Sequence, residues 1–389
     1  MIMPGYKIEL LQYESKENYY NKQFKEYVGS YLDYVYLPPF FKNLSNINPI
    51  KSINFIPDDN RSGILEEPIA KINGMDFHLS VKGIGSVIDP YNQHVLTPPN
   101  IIEAITNHEL REKILKIDSN ADRLITNELW LRGSPYGGQG IEHAQTALNI
   151  SEMAEIDNLN GFLIAPVINV SVLPDDISNV IKNIYWYRKY PGIIVQEKRL
   201  VPSNIRLYFH STNAIGTNAS YVYDMLNISN KEQALEIEKN FIKSGMASLT
   251  LYARTLEYDG TFYKGLDYYD VWLDKDAVLS PNGSIYFVDL EGIEPVKLTL
   301  EGAREKIEDQ FYRGMYEFMY AYERISQERR ARFGYFGNNK RQDMVYVFKE
   351  ALYKDPIIEF SNIGIEELQI NIKNNMNQEK LYIRIPIVN

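Results

Sequence analysis

Apolar positions along this chain change their period twice. Between residues 52 and 81 they fall in short runs: Ser52 to Ile56, Ile69 to Ile72 and Phe77 to Val81. Asp58-Asp59-Asn60, Arg61-Ser62-Gly63 and Asn73-Gly74 separate them. Short runs punctuated by turn residues predict a small antiparallel sheet, and Asn-Gly is a hairpin dipeptide because both residues tolerate positive φ. From Ile141 the period lengthens. Ile141, Ala144, Leu148, Ile150 and Met153 predict a helix to about Leu159, which Gly161 stops. Strands at Phe162 to Val172 and Gly192 to Glu197 flank a helical stretch from Asp175 to Tyr187. Past Asn230, Lys231 to Arg254 and Leu298 to Arg332 read as long helices, with a loop over 257–275 and one short hairpin between them. Residues 86–133 read as an insertion with a helix from Asn100 to Lys116. Residues 1–50, interrupted by Pro38-Pro39-Phe40-Phe41, read as an N-terminal extension packed onto the rest of the chain. Strands with one helix, then mostly helices around one hairpin, predict an α+β chain in two lobes dividing near residues 197–205.

The hairpin carries the first chemical signal. Asp276-Ala-Val-Leu-Ser-Pro-Asn-Gly-Ser-Ile-Tyr-Phe-Val-Asp289-Leu-Glu-Gly292 is strand, tight turn, strand, then an acid in a loop ending at glycine. Antiparallel pairing brings the ends together, so Asp276 and Asp289 can face one point. Two hard oxygen ligands there suit Mg²⁺ or Mn²⁺ holding the phosphates of ATP. The bland alternative is a surface hairpin with two unrelated acids, since Asp is common in turns.

Composition narrows the classes. The chain has 389 residues, 44% hydrophobic and 24% charged, enough for two lobes with a sizeable core. A formal charge of −10 argues against a nonspecific nucleic-acid or anionic-membrane binder. The absence of cysteine excludes disulfides, thiolate metal sites and a cysteine nucleophile. With no signal peptide visible and no apolar run long enough to span a bilayer, a cytoplasmic protein is expected. The five histidines show no metal-ligand spacing, and Gly137-Gly-Gln-Gly140 reads as a loop or helix entry.

Lys82 ends the strand Phe77-His-Leu-Ser-Val-Lys82 and precedes Gly83-Ile-Gly85. A lysine there can reach ATP phosphates when a helix carboxylate orients it, and the helix from 141 offers Glu142, Glu152 and Glu155. The plain reading of a single strand-end lysine is a solvated one. Asp270 and Asp274 flank Trp272 in Asp270-Val-Trp-Leu-Asp274-Lys-Asp276; Asp274 is the candidate to accept a hydroxyl proton, and Asp270 reads as solvating the loop.

Strand lysine, acidic helix, two strands, linker, helix and acidic hairpin, in that order, resemble the protein-kinase-like fold, with a small β-rich N-lobe at 51–200 and a mainly helical C-lobe at 201–389 containing the hairpin 276–289. Asp276 stands at the catalytic-loop Asn position and Asp289-Leu-Glu-Gly292 at Asp-Phe-Gly. Lys82-Gly-Ile-Gly85, Ser134-Pro-Tyr136 and the helix beyond narrow the resemblance to the selenoprotein O family of protein adenylyltransferases, over roughly 82–295. The resemblance implies that Lys82, Gly83 and Gly85 bind nucleotide and that Glu152, or in second place Glu142, orients Lys82. It implies Asp276 and Asp289 as metal ligands, and backbone of Gln196 to Asn204 reading the adenine edge, although that stretch reads equally as a plain exposed loop. It also implies transfer of AMP, rather than the γ-phosphate, to a hydroxyl. The chain departs from the pattern in its long insertion, in Asp276 for Asn, and in having no selenocysteine or cysteine near its C-terminus. His-Arg-Asp is missing, with Tyr269 and Val271 at its His and Asp positions. Only Ile293-Glu-Pro-Val-Lys-Leu-Thr separates Gly292 from the next helix, too short for an ordinary activation segment. A Mg- or Mn-ATP-dependent kinase-like transferase is therefore the expectation, and a pseudokinase that binds nucleotide or a partner without transfer is the alternative.

Overall fold

The computed structural model describes residues 2, 7–25, 31–39, 42, 46–59, 62–84, 109, 112, 138–159, 162–183, 192–207, 222–254, 257–258, 262–267, 276–290, 294–353, 358–363, 367–373 and 380–386. It is a mixed α+β protein in two compact units. One comprises Ile2–Glu152 and Pro166–Val201, the other Met153–Ala165 and Pro202–Asn389.

The first unit is built on a large antiparallel sheet. Its chain runs through β1 Ile8–Glu14, β2 Glu17–Tyr20, β3 Tyr34–Leu37, β4 Lys51–Asp59, β5 Ser62–Ile72, β6 Met75–Lys82 and β7 Gln139–Gly140 into helix α1 Ile141–Met153. It leaves to form β8 Asn158–Leu159 and β9 Phe162–Leu163 in the second unit, and returns as β10 Val167–Val172, helix α2 Asp175–Asn183 and β11 Ile194–Val201. The strand order is β2-β10-β11-β6-β5-β4-β1-β3, with β7 on β11. β1 and β2 are consecutive in the chain although they stand far apart in that order, so the sheet curls back on itself. Lys16 N–H donates to Val172 O at 2.9 Å and Ser15 N–H to Asp33 O at 3.0 Å at the corner. The Gln196 side chain takes both backbone groups of Tyr36 at the free edge, accepting from its N–H at 2.8 Å and donating to its C=O at 2.6 Å. α1 is tied to β10 through Ser151, whose Oγ accepts from Val167 N at 2.8 Å.

The second unit holds α3 Lys231–Arg254, β12 Glu257–Tyr258, β13 Phe262–Asp267, β14 Ala277–Leu279, β15 Ile285–Phe287, β16 Glu294–Thr299, α4 Leu300–Phe333, α5 Lys340–Ala351, β17 Ile358–Ile363, β18 Glu367–Lys373 and β19 Lys380–Pro386. α3 and α5 start on the same device. Asn230 Oδ1 accepts from Gln233 N and Asn339 Oδ1 from Gln342 N, both at 2.9 Å, while each Gln side chain accepts from the backbone N just before the cap. Aromatic rings fill the core between helices: Phe318 stacks on Phe241 at 5.3 Å, and Tyr322 meets Phe348 edge-on at 5.1 Å. Among the described residues no helix is long and apolar enough to cross a membrane.

Several expectations change in register or extent. Residues 8–37, read as an extension, supply β1, β2 and β3 of the large sheet. The strand expected over Phe162 to Val172 is two strands, because Pro166 between them lacks the N–H a ladder needs. The helix from Ile141 ends at Met153, and Ile156 takes φ 59° in the turn beyond it. Residues expected as the loop 257–275 include β12 and β13, and the C-terminal part adds the three-stranded sheet β17-β18-β19 to its helices. The helix expected over 100–116 and nearly all of the insertion 86–133 lie outside the described residues.

Candidate functional site

The acidic hairpin forms as its sequence predicts. β14 and β15 pair with Ala277 opposite Phe287 and Leu279 opposite Ile285. Asn282 organises the turn: its Oδ1 accepts from Ser284 N at 3.0 Å and from Ser280 Oγ at 2.6 Å. Gly283 adopts φ 89°, and a Cβ there would fall 2.4 Å from the carbonyl oxygen of Ile237 in α3. No other residue fits so tight a turn against a helix. The segment 205–207 bridges onto β14, with Leu279 N–H donating to Ile205 O at 2.8 Å and Leu207 N–H to Ala277 O at 3.2 Å. On the other side Ala165 N–H donates to Phe287 O at 2.7 Å. Tyr286 O–H donates to the buried Asp157 carboxylate at 3.0 Å, and burial together with that carboxylate pushes its phenol well up.

The two acids sit where this frame closes. Val288 N–H donates to Asp276 O at 2.8 Å, so Asp289 comes directly after the residue bonded to Asp276. Asp276 is 3% exposed and Asp289 is half-buried. Among the described residues no group of three or more His, Cys, Asp or Glu gathers in metal-binding fashion. Mg²⁺ keeps several waters and takes oxygens from substrate phosphates, so it does not require three protein carboxylates.

Lys82 lies in the first unit, at the end of β6, and is 3% exposed rather than solvated. Strand alternation puts His78, Ser80 and Lys82 on one face. Glu197 of β11 is the register partner of Lys82, and Arg199 that of Ser80. Ser62 of β5 flanks Lys82 on its other side. All six side chains are buried. Glu197 Oε2 accepts from Gln139 Nε2 at 3.2 Å, and Oε1 lies 3.0 Å from Arg199 Nη2 without the alignment of a hydrogen bond. Burial pulls the His78 imidazole down to about 4, so it is neutral near pH 7.

Two glycines bring the distant motifs together. Gly83, at φ 92°, accepts a hydrogen bond from Gly138 N at 2.5 Å and another from Gln196 Nε2 at 2.8 Å. A Cβ on Gly83 would lie 3.2 Å from Gly138 backbone, and one on Gly138 would lie 2.1 Å from Ile194 Cγ2. Lys82-Gly83 and Gly138-Gln139 therefore share one corner, although more than fifty residues separate them. The Gly137–Gly140 stretch, read as a loop or helix entry, includes β7, paired with β11, and leads directly into α1.

Glu152 and Glu142 are both exposed on α1, and no ion pair joins Lys82 to either of them among the described residues. Asp274, Asp270 and Gly85 lie outside the described residues, as do Ser134 and Tyr136. The stretch Gln196 to Val201, read as linker or exposed loop, is the buried core of β11. Sequence reasoning missed Glu197 and Arg199 for that reason, and Gln139 because Gly137–Gly140 read as a loop or helix entry. The available signal was the pair of apolar flanks, Ile193 to Val195 and Leu200-Val201, around only four polar residues.

Comparison with protein-family models, with curated proteins and with solved structures finds no match to this chain.

Proposed function

We propose that this protein is a Mg²⁺- or Mn²⁺-ATP-dependent transferase of the protein-kinase-like kind, moving AMP or phosphate to a hydroxyl acceptor. The observation that carries the reading is the hairpin closure, where Val288 N–H donates to Asp276 O and Asp289 follows directly at the same end of a buried ladder. The buried face around Lys82 supports it, because a lysine withdrawn from water gains from an anionic ligand. In this reading the two units correspond to the lobes of a kinase-like fold, and the likeness to the selenoprotein O family indicates AMP as the transferred group. A divalent ion held by Asp276 and Asp289 supplies neutralisation of phosphate charge. Lys82 binds phosphate oxygens, Gly83 and Gly85 belong to the nucleotide-binding set with it, and Asp274 takes the proton of the attacking hydroxyl. The same proposal places the protein in the cytoplasm, which its lack of cysteine suits.

The exposure of Glu152, away from Lys82, favours a second reading: a pseudokinase that binds nucleotide and transfers nothing. ATP labelled separately at the α- and γ-phosphates separates the two. Label from the α position alone means AMP transfer, and label from γ means phosphorylation. A Mg·ATP thermal shift that Asp289→Ala abolishes, with no label on any acceptor, selects the pseudokinase. Wild-type protein that shows no thermal shift with Mg·ATP or Mn·ATP sinks both readings.

A further inference from the structure

We propose that Glu197, carried on the strand beside Lys82, is the carboxylate that positions this lysine; the proposal rests on the reading of Lys82 as a phosphate-binding group. Register carries the inference. Lys82 and Glu197 are direct partners in the β6–β11 ladder, so their side chains leave the same face with Cβ atoms about 5 Å apart. Both are buried, at 3% and 1% exposure. Opposite charges withdrawn from water at such spacing couple strongly even before they touch.

Glu197 is also held in a way that suits the task. Gln139 donates to one carboxylate oxygen at 3.2 Å, and Arg199 Nη2 stands 3.0 Å from the other. Gln139 is itself fixed by β7 pairing with β11 and by the Gly83–Gly138 contact. The carboxylate thus sits on an interior strand, paired on both sides by β10 and β6, and its support is anchored to the residue next to Lys82. In this structure Glu197 is engaged with Arg199 rather than with Lys82. The proposal requires only a change of the Glu197 side chain, because strand register already sets the two residues side by side on one face. Glu152, in contrast, stands exposed in the last turn of α1, where its backbone carbonyl accepts from Gln23 Nε2 at 3.3 Å. For Glu152 to serve, the helix end would have to move and the carboxylate would have to be buried anew. Glu197 is a positioning residue: it acts on the ligand through Lys82.

The test is a pair of double-mutant cycles on the full chain. Lys82→Met, Glu197→Gln and the double variant are compared by urea unfolding without ligand, and the same is done for Lys82→Met with Glu152→Gln. The expected result is non-additivity of about fivefold or more in the unfolding constant for Lys82 with Glu197, and near-additivity for Lys82 with Glu152. Additive Lys82 and Glu197 variants, or coupling to Glu152 alone, overturn the proposal. Glu197→Asp serves if Glu197→Gln fails to fold, since it keeps the charge and shortens its reach. A second arm measures stabilisation by Mg·ATP. Glu197→Gln is expected to weaken ATP binding about tenfold in the wild-type background and much less in the Lys82→Met background, a dependence that a purely structural role does not produce. A wild type that ignores Mg·ATP overturns the ATP reading, while the ligand-free cycle still decides whether Glu197 holds Lys82.

Discussion

Two cations, one in each unit, are fully withdrawn from water and are held in opposite ways. Arg329 of α4 is neutralised. Its Nε donates to Glu238 of α3 at 2.8 Å, and its two terminal nitrogens donate to the Asp343 carboxylate of α5, each at 2.6 Å. Glu238 accepts again at 3.2 Å and Gly334 O at 3.1 Å, so the five N–H groups of the guanidinium are all used. One side chain ties three helices and the turn between the last two. Lys198 of β11 meets only neutral oxygens: Leu32 O at 2.7 Å, Asn169 Oδ1 at 2.9 Å and Ser171 Oγ. Burial pulls its ammonium well below the ordinary lysine range, and the field of Asp33 opposes this only in part. Arginine cannot shed its proton, so burying it requires carboxylates. Lysine can, so a sheet interior of hydroxyl, amide and carbonyl groups is enough.

The largest expected effect breaks the Arg329 side. Arg329→Met leaves two carboxylates buried without their cation and should cost about 3–5 kcal/mol in urea unfolding. A loss below 1 kcal/mol would mean the carboxylates simply protonate or reach water, and the contrast with Lys198 would lapse. Next in size is Asp343→Asn. It retains the shape but removes charge from two 2.6 Å hydrogen bonds, and should cost about 1.5–3 kcal/mol.

The last prediction sharpens the Lys198 side and shows in its pH dependence. A base with a depressed folded pKa binds fewer protons folded than unfolded. Stability therefore rises with pH from the folded pKa up to the ordinary lysine value, by at most about 1.4 kcal/mol per pH unit. Lys198→Met should remove that slope, and the loss of its own hydrogen bonds is limited because Ser171 Oγ already donates to Leu32 O at 3.1 Å and lies 2.6 Å from Asn169 Oδ1. Urea midpoints taken from pH 6 to 10 on both proteins make the measurement. Equal slopes would show that Lys198 stays charged when buried.

The elements that were legible are those whose signals are local. Lys231–Arg254 forms the helix its pattern predicts, started by Asn230 and Gln233 within one turn of each other. The acidic hairpin forms because Pro281-Asn282-Gly283 sets the reversal and the apolar runs either side are three residues long. β11, read as a strand over Gly192 to Glu197, runs on to Val201. The polar run Gln196-Glu-Lys198 hides its own burial, because its side chains meet partners remote in sequence: Tyr36 for Gln196, Gln139 for Glu197, Leu32 and Asn169 for Lys198.

The chain by itself determined its alternation of strands and helices, the turn at Gly283, the helix starts at Asn230 and Asn339, and the hairpin that returns Val288 to Asp276. Each is settled by residues within about fifteen positions, where loop closure is cheap and side-chain chemistry acts on its own backbone. Tertiary structure alone decided which face of β6 Lys82 shares, that Glu197 rather than a helix glutamate stands beside it, and that Gly83 meets Gly138. Those outcomes depend on strand register between segments more than fifty residues apart. A shift of one residue would move every side chain to the opposite face, and only packing of the whole sheet fixes that choice.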